Sequence, residues 1–477
     1  MTRKASIVLW VITLVALFHN TILPMHPDES YYWVWSRHLQ LSYYDGPPMI
    51  AYMIKITTCI WSTPFTVRLV SVICLFLTTC YIYQFAKRIF NARVAEISII
   101  VFLFVPFVQV GFAIATPDLP LMLFWTLSFI MFYDYLILKQ EKKIYLVGLF
   151  IGLALLSKYP AILLVVSFFI MVVLLKRWEI FKQKSLYIGM VIAIVVFSPV
   201  LIWNISNHFA SFAFQLGHGA SASAPLNLSY LGEFLGGQFG AVNPIFFIIM
   251  VFVIIKGFKE IKNNEKLLFL FIPFITTFVI FMLFSLNKHS EVNWPAPAYL
   301  SIVILMGYFI EKYRLRVYCY IGAVFSIIAF VILIYPGYSP VLISKFKGYN
   351  VLMQSADQYV PDNAIILSDN YQDASEAEYY MTGRPTVYVL TPTRFSQYDL
   401  WATPNVIKTI QNSSQPIYFV GTNDMMADLG EYFNTLALMQ TINYTHDGVN
   451  LTLYIIQCSN VSGASDITYS TTPIPAD

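Results

Sequence analysis

Eleven apolar stretches punctuate the first 336 positions, at 5–23, 66–86, 94–114, 119–138, 144–157, 161–175, 186–203, 241–256, 267–286, 296–310 and 317–336. Runs of this length match a hydrocarbon core of about 30 Å. Each is predicted to be helical, because lipid offers backbone N–H and C=O groups no other partner. The segment 144–175 can be read as two short helices broken at Ser157-Lys158-Tyr159-Pro160, or as one long helix with a buried lysine. Positive charge separates the two. With eleven spans, 19 of the 29 Lys and Arg residues fall in loops on the N-terminal, cytoplasmic side, and five fall in the opposite loops. Fusing 144–175 would send the cluster Lys176, Arg177, Lys182 and Lys184 across the membrane, against the positive-inside rule. Two helices are therefore expected. The opposite loops are 24–65, 115–118, 158–160, 204–240 and 287–295.

From about Ser339 the pattern changes. Short apolar runs at Ala364–Leu367, Thr386–Leu390, Pro416–Val420 and Leu451–Gln457 are separated by Asp, Asn, Gly and Pro, and Asp373–Met381 reads as a helix between two of them. The expected organisation is a transmembrane domain over 1–338, a small α/β domain over 339–458 on the exported side, and a disordered Ser/Thr/Pro-rich tail over 459–477. The first stretch resembles a signal peptide, but His19-Asn20-Thr21 follows it in place of small cleavage-site residues, so an uncleaved first span is expected.

Composition agrees with this reading. The chain is 58% hydrophobic and 12% charged, whereas soluble proteins carry about 25% charged residues. The net charge of +3 is small and its basic residues sit between apolar runs, a distribution that orients a membrane protein and does not suit nucleic acid. Among five cysteines only Cys458 lies in the α/β region, which excludes a disulfide framework or zinc knuckle there.

Acids on the exported side are few, and they gather at loop ends. The first loop opens His26-Pro27-Asp28-Glu29-Ser30-Tyr31-Tyr32, then passes Trp33, Trp35 and Arg37 to Tyr43-Tyr44-Asp45-Gly46-Pro47-Pro48. Its density of aromatics suits an interfacial helix lying on the bilayer. The adjacent carboxylates Asp28 and Glu29, losing hydration at a span's mouth, suit a base or a metal site; the bland alternative is a polar loop end in an aromatic belt. Asp118 in Thr116-Pro117-Asp118 is either a helix N-cap or a site acid. Asp45, fixed by the prolines that follow, is a turn residue or a metal ligand. Lys158 either snorkels to headgroups or pairs with a phosphate. His218, between Gly217 and Gly219, is a candidate metal ligand or proton carrier, and equally an ordinary loop residue. Glu291 and Asn293 stand in a short loop that also holds Lys288 and His289. No Walker A, dinucleotide fingerprint, Gly-x-Ser-x-Gly or Asp-x-Asp occurs in an exposed segment, so the substrate needs no nucleotide pocket.

These residues resemble the GT-C superfamily of polyprenyl-phosphate-sugar glycosyltransferases, especially the lipid A aminoarabinose transferases and the dolichyl-phosphate-mannose protein mannosyltransferases. The resemblance rests on Asp28-Glu29 with Tyr31-Tyr32, Tyr44-Asp45-Gly46-Pro47-Pro48, Thr116-Pro117-Asp118, Ser157-Lys158-Tyr159, Gln215–Gly219 and Asn293-Trp294-Pro295-Ala296-Pro297. It extends to Tyr371-Gln372, Ala374-Ser375-Glu376 and Gln397–Trp401. It implies a polytopic α-helical membrane protein of about eleven or more spans with a small C-terminal α/β periplasmic domain, in a bacterial inner membrane. It also implies inverting transfer of a sugar from an undecaprenyl-phosphate donor to a lipid, glycan or protein acceptor on the periplasmic face. Asp28, with Glu29 and Asp118, would be catalytic. Lys158 with Arg37, or a divalent metal at Asp45 with His218, would neutralise the donor phosphate, and Glu291 and Asn293 would serve a substrate loop. Where aminoarabinose transferases carry Glu-Lys before the paired prolines, this chain has Asp45-Gly46, a difference that bears on the donor sugar. A transporter or flippase, or an envelope scaffold, is the competing class. Transporters show repeats and polar residues at the midplane; here no repeat is visible and the acids lie at one boundary.

Overall fold

The computed structural model describes residues 1–220, 227–334, 346–390, 394–401, 410–411, 413–446 and 448–462. Its first part runs α1 (Arg3–Ile22), α2 (Pro27–Arg37), α3 (Met49–Thr57), α4 (Pro64–Ile89), α5 (Ala92–Leu103), α6 (Pro106–Gly111), α7 (Asp118–Leu136) and α8 (Lys143–Ser157). It continues through α9 (Ile162–Leu174), α10 (Lys184–Ser206), α11 (Ala210–Ala220), α12 (Leu228–Val242), α13 (Pro244–Asn263), α14 (Glu265–Phe284), α15 (Tyr299–Lys312) and α16 (Arg316–Ile334). Each of the eleven apolar stretches is helical over most of its described residues. Among the described residues α1, α4, α7, α10 and α14 are individually long and apolar enough to cross a membrane, and α12 with α13 forms a sixth candidate bent by 106°. The bend has a local cause: Asn243 takes φ 82° and Pro244 starts the next helix. The chain is an integral membrane protein of many helices.

Two departures from the sequence pattern, and one expected break, follow from local chemistry. The stretch 94–114 is two helices, because Pro106 has no N–H to continue α5 and instead begins α6. The expected break is at 144–175, which is two helices: Lys158 is extended (φ −162°, ψ 139°) and a 3₁₀ turn at Tyr159–Ala161 leads into α9. The loop 204–240 is largely helical, as α11 and α12. Close helix packing uses glycine. A Cβ on Gly148 of α8 would sit 2.0 Å from the Gly189 carbonyl oxygen of α10, so these backbones meet as only small residues allow.

The described residues form two compact units. A helical unit comprises Met1–Ile22, Gly46–Ser206 and Gly219–Val331. An α/β unit comprises Leu23–Asp45, Asn207–His218 and Ile332–Asp477, so it takes in half of the first long loop and does not begin simply at 339. Its sheet has the order β2-β1-β3-β5-β4, with β1 (Ile365–Ser368), β2 (Val387–Val389), β3 (Ile417–Gly421), β4 (Phe433–His446) and β5 (Val449–Val461). β1 is parallel to both β2 and β3, while β5 is antiparallel to β3 and β4. Leu367, Phe419, Leu429 and Ile456 centre its core. β5 carries the ordered chain to Val461, past the expected boundary at 458; the tail over 463–477 lies outside the described residues.

Within this unit α2 packs on α17 (Tyr371–Tyr380). The Trp33 and Tyr379 rings meet edge to face at 4.9 Å, and the Ser30 hydroxyl donates to Glu376 Oε1 at 2.8 Å. Tyr31, Trp33 and Trp35 are buried. The expectation that these aromatics lie on the bilayer is thereby corrected: the apolar face of α2 finds its partners in the α/β unit's own core.

Candidate active site

The first loop begins with a capped helix. His26 is the N-cap of α2, and its backbone N–H donates to Glu29 Oε2 at 2.9 Å while its ring accepts from the Asp28 N–H at 3.2 Å. Glu29, expected as a catalytic acid, is fully buried in this capping box. Asp28 differs, with its side chain 41% exposed. Tyr371 hydroxyl and Gln372 Nε2 both reach Asp28 Oδ1 at 3.5 Å, the outer limit of a hydrogen bond, so the carboxylate is held but keeps room to accept a proton.

Asp45 is locked. Its Oδ2 accepts from Tyr31 hydroxyl at 2.6 Å and its Oδ1 from Arg394 Nη2 at 2.6 Å. Gln215 Nε2 of α11 donates to its carbonyl at 3.0 Å. Burial pushes the Asp45 carboxyl up, while Arg394 and Tyr31 pull against that rise. Burial works against the charge of Arg394 too, but Asp45 beside it leaves its pKa raised. Tyr371 closes the chain, accepting from Arg394 Nη1 at 3.3 Å. One network thus runs Asp28–Tyr371–Arg394–Asp45–Tyr31, joining two loop-one acids expected from sequence to three groups given no role there. Arg394, 349 residues from Asp45, has no spacing signal at all; Tyr371 stood in a recognised string, without an assigned role.

The divalent metal expected at Asp45 with His218 finds no ready donor set. Both Asp45 oxygens have protein donors, no group of three His, Cys, Asp or Glu side chains able to hold a metal occurs among the described residues, and the His218 side chain lies outside them.

The helical unit holds a second cluster. Asp118, 2% exposed at the start of α7, makes no capping bond; Lys158 Nζ donates to both its oxygens at 2.8 and 3.0 Å. Asn293 Nδ2 adds a third contact at 3.0 Å. Three residues singled out from separate loops therefore meet, and Asp118 serves Lys158 instead of the helix terminus. Glu291 stays apart, exposed and 3.8 Å from His289, which also pairs with Glu233. Arg37, in the α/β unit, lies over the Trp33 ring at 4.9 Å.

Other acids of the α/β unit are perturbed by burial. Glu378 is pushed up to about 7 although Tyr398 hydroxyl donates to it at 3.0 Å, and Asp373 and Asp399 are each pushed up to about 6. An acid whose folded pKa lies above its unfolded value opposes folding once the unfolded chain ionises. For Glu378 the penalty is absent below about pH 4.5, grows through the interval and is complete above about pH 7. The rise corresponds to about 3 kcal/mol. Melting of the full chain across this window should therefore fall with pH, and Glu378→Gln should flatten the fall and melt higher than wild type above pH 7. A variant melting lower there would show that the carboxylate is held favourably as an anion.

The arrangement of helices and sheet is similar to that of several solved structures. Apo ArnT from Cupriavidus metallidurans superposes with a TM-score of 0.69 at 15% identity, covering 94% of this chain and 97% of that one. The same enzyme bound to undecaprenyl phosphate gives 0.68 at 15% identity, over 95% and 98%. The Archaeoglobus fulgidus oligosaccharyltransferase in its apo form gives 0.51 at 12% identity, over 90% and 71%. In sequence, residues 45–203 match the family described as dolichyl-phosphate-mannose-protein mannosyltransferase. The lipid A galacturonosyltransferase RgtD of Rhizobium johnstonii is 25% identical over 283 residues, 58% of this chain. That match spans only 59% of the relative's length. The resemblance to polyprenyl-phosphate-sugar glycosyltransferases, and to lipid A-modifying enzymes among them, thus holds in both fold and sequence.

Proposed function

We propose that the chain is an inverting glycosyltransferase that moves a sugar from an undecaprenyl-phosphate donor to an envelope acceptor, lipid A or a related glycolipid, at the periplasmic face of a bacterial inner membrane. The observation that carries the reading is Asp28: a half-exposed carboxylate held at arm's length by Gln372 and by Tyr371, which also bonds Arg394, in a fold shared with a polyprenyl-phosphate-binding protein. In the reaction an acceptor oxygen bonds to the sugar's anomeric carbon from the face opposite the phosphate. The bond from that carbon to the phosphate oxygen breaks, and polyprenyl phosphate leaves with the electron pair. Asp28 takes the acceptor hydroxyl's proton. Charge growing on the leaving phosphate calls for a fixed cation; the candidate in the α/β unit is Arg394, oriented by Asp45, and the candidate in the helical unit is Lys158, oriented by Asp118.

Purified protein supplied with undecaprenyl-phosphate sugars and lipid A should yield a glycolipid heavier by one sugar, detected by mass spectrometry, and fusions at Lys184 and Gly348 should report opposite sides of the membrane. No product with any such donor, or both fusions on one side, would overturn the reading. Excess chelator addresses the metal: lost activity supports an ion at Asp45, and full activity leaves Arg394 as that carboxylate's partner.

A further inference from the structure

The α/β unit has a crevice that the network above touches but does not explain. Its parallel strands leave the middle of the sheet in both directions: the chain starts in β1, crosses through α17 to β2 on one side, then returns to β3 on the other. Adjacent strands whose connections diverge open a crevice beyond their carboxyl ends, where α/β sheets hold ligands. A cavity of 410 Å³ lies there, lined by Asn370, Tyr371, Gln372 and Asp373 after β1 and by Thr422 and Asn423 after β3. Its size is within the range of about 300–1,000 Å³ typical of small-molecule sites.

The floor of this crevice is rigid. Asp373 Oδ2 accepts from the Thr422 N–H at 2.6 Å and its hydroxyl at 2.7 Å, and Asn423 Nδ2 donates to Asp369 Oδ2 at 2.7 Å. Gly421 belongs to the same construction, since a Cβ there would lie 2.9 Å from Asp369 Oδ1. The lining therefore offers oriented amides, a hydroxyl, a carboxylate, the Arg394 guanidinium and the phenols of Tyr349 and Tyr371. Such a set pairs donors and acceptors with neighbouring hydroxyls and gives a flat ring surfaces to rest on. The turn after β1 reads Ser368-Asp369-Asn370-Tyr371, without the glycines of a dinucleotide fingerprint, and the one lining carboxylate, Asp373, is accompanied by Arg394.

We propose that this crevice binds a saccharide ring of the acceptor, with Tyr371 and Gln372, which line the crevice and also touch Asp28, bringing its hydroxyl toward that carboxylate. The assignment to the acceptor rests on the transferase reading; binding of a saccharide does not. Glucosamine disaccharide bisphosphate, the deacylated headgroup of lipid A, serves as probe for the full-length protein in detergent, by calorimetry or saturation-transfer NMR. Wild type should bind it saturably, and Asn423→Ala and Gln372→Ala should each weaken binding tenfold or more, Gln372→Ala at an unchanged melting temperature. In the transfer assay the same variants should raise acceptor KM tenfold or more and leave donor KM unchanged. Variants that melt and bind like wild type, or that raise donor KM instead, overturn the proposal. Should transfer fail altogether while the probe still binds and the variants weaken it, the transferase reading falls and the saccharide site stands.

Discussion

Asp28→Asn should lower turnover by about 10²–10⁴, the usual cost of removing a general base, while the protein still inserts and melts as wild type does. The expectation follows from how the three candidate acids are held. Asp45 and Asp118 each have both oxygens in ion pairs or short hydrogen bonds. Asp28 has its contacts at 3.5 Å and 41% of its side chain exposed, so its lone pairs are open to a substrate. Asparagine keeps the shape and removes the basicity. Because no short contact is lost, stability should move by no more than about 0.5 kcal/mol, as at ordinary surface positions. Glu233→Gln is the control, an exposed acid of the helical unit paired with His289, and should stay near wild type in turnover. Wild-type turnover by Asp28→Asn would show that no proton is removed by this residue. The acceptor would then be an oxygen already anionic, such as a phosphate.

Lys158→Met should lower both stability and turnover. It strands Asp118, 2% exposed, with Asn293 as its one remaining side-chain donor of the cluster. Removing one partner of a buried ion pair typically costs about 3–5 kcal/mol, because the other charge remains without compensation. Combining it with Asp118→Asn removes that charge, and the double variant should recover most of the melting temperature. Turnover should not recover with it. If the ammonium meets charge developing on a phosphate, its loss costs about 10²–10³ whatever happens to Asp118. Recovery of turnover together with stability would instead show that the pair only braces the loops between α7, α8 and α15.

What was legible beforehand depended on the range over which each signal acts. Helices declare themselves within twenty residues, because lipid forces the backbone to satisfy itself locally, and Lys158 with Pro160 marked the break between α8 and α9 within four. The loop-end acids were visible for the same reason, since carboxylates are scarce in so apolar a chain. β4 was not: Phe433–His446 is largely exposed, so no burial imprinted an alternating pattern on it. Nor could the sequence say that Trp33 faces Tyr379 and not the bilayer, because an apolar face does not name its partner.

The choice among acids was likewise tertiary. Asp28, Glu29 and Asp118 were catalytic candidates and Asp45 a metal candidate on sequence and resemblance, and the residue types alone determined that carboxylates, aromatics and a few cations would gather at loop ends. Only folding separated them, by giving Glu29 to a helix cap, Asp45 to Arg394 and Asp118 to Lys158. The cap joins Glu29 to His26 three residues away, but the other two pairings join positions 40 and 349 residues apart, and a hydrogen bond at such a separation depends on distance in space, which no local pattern along the chain encodes.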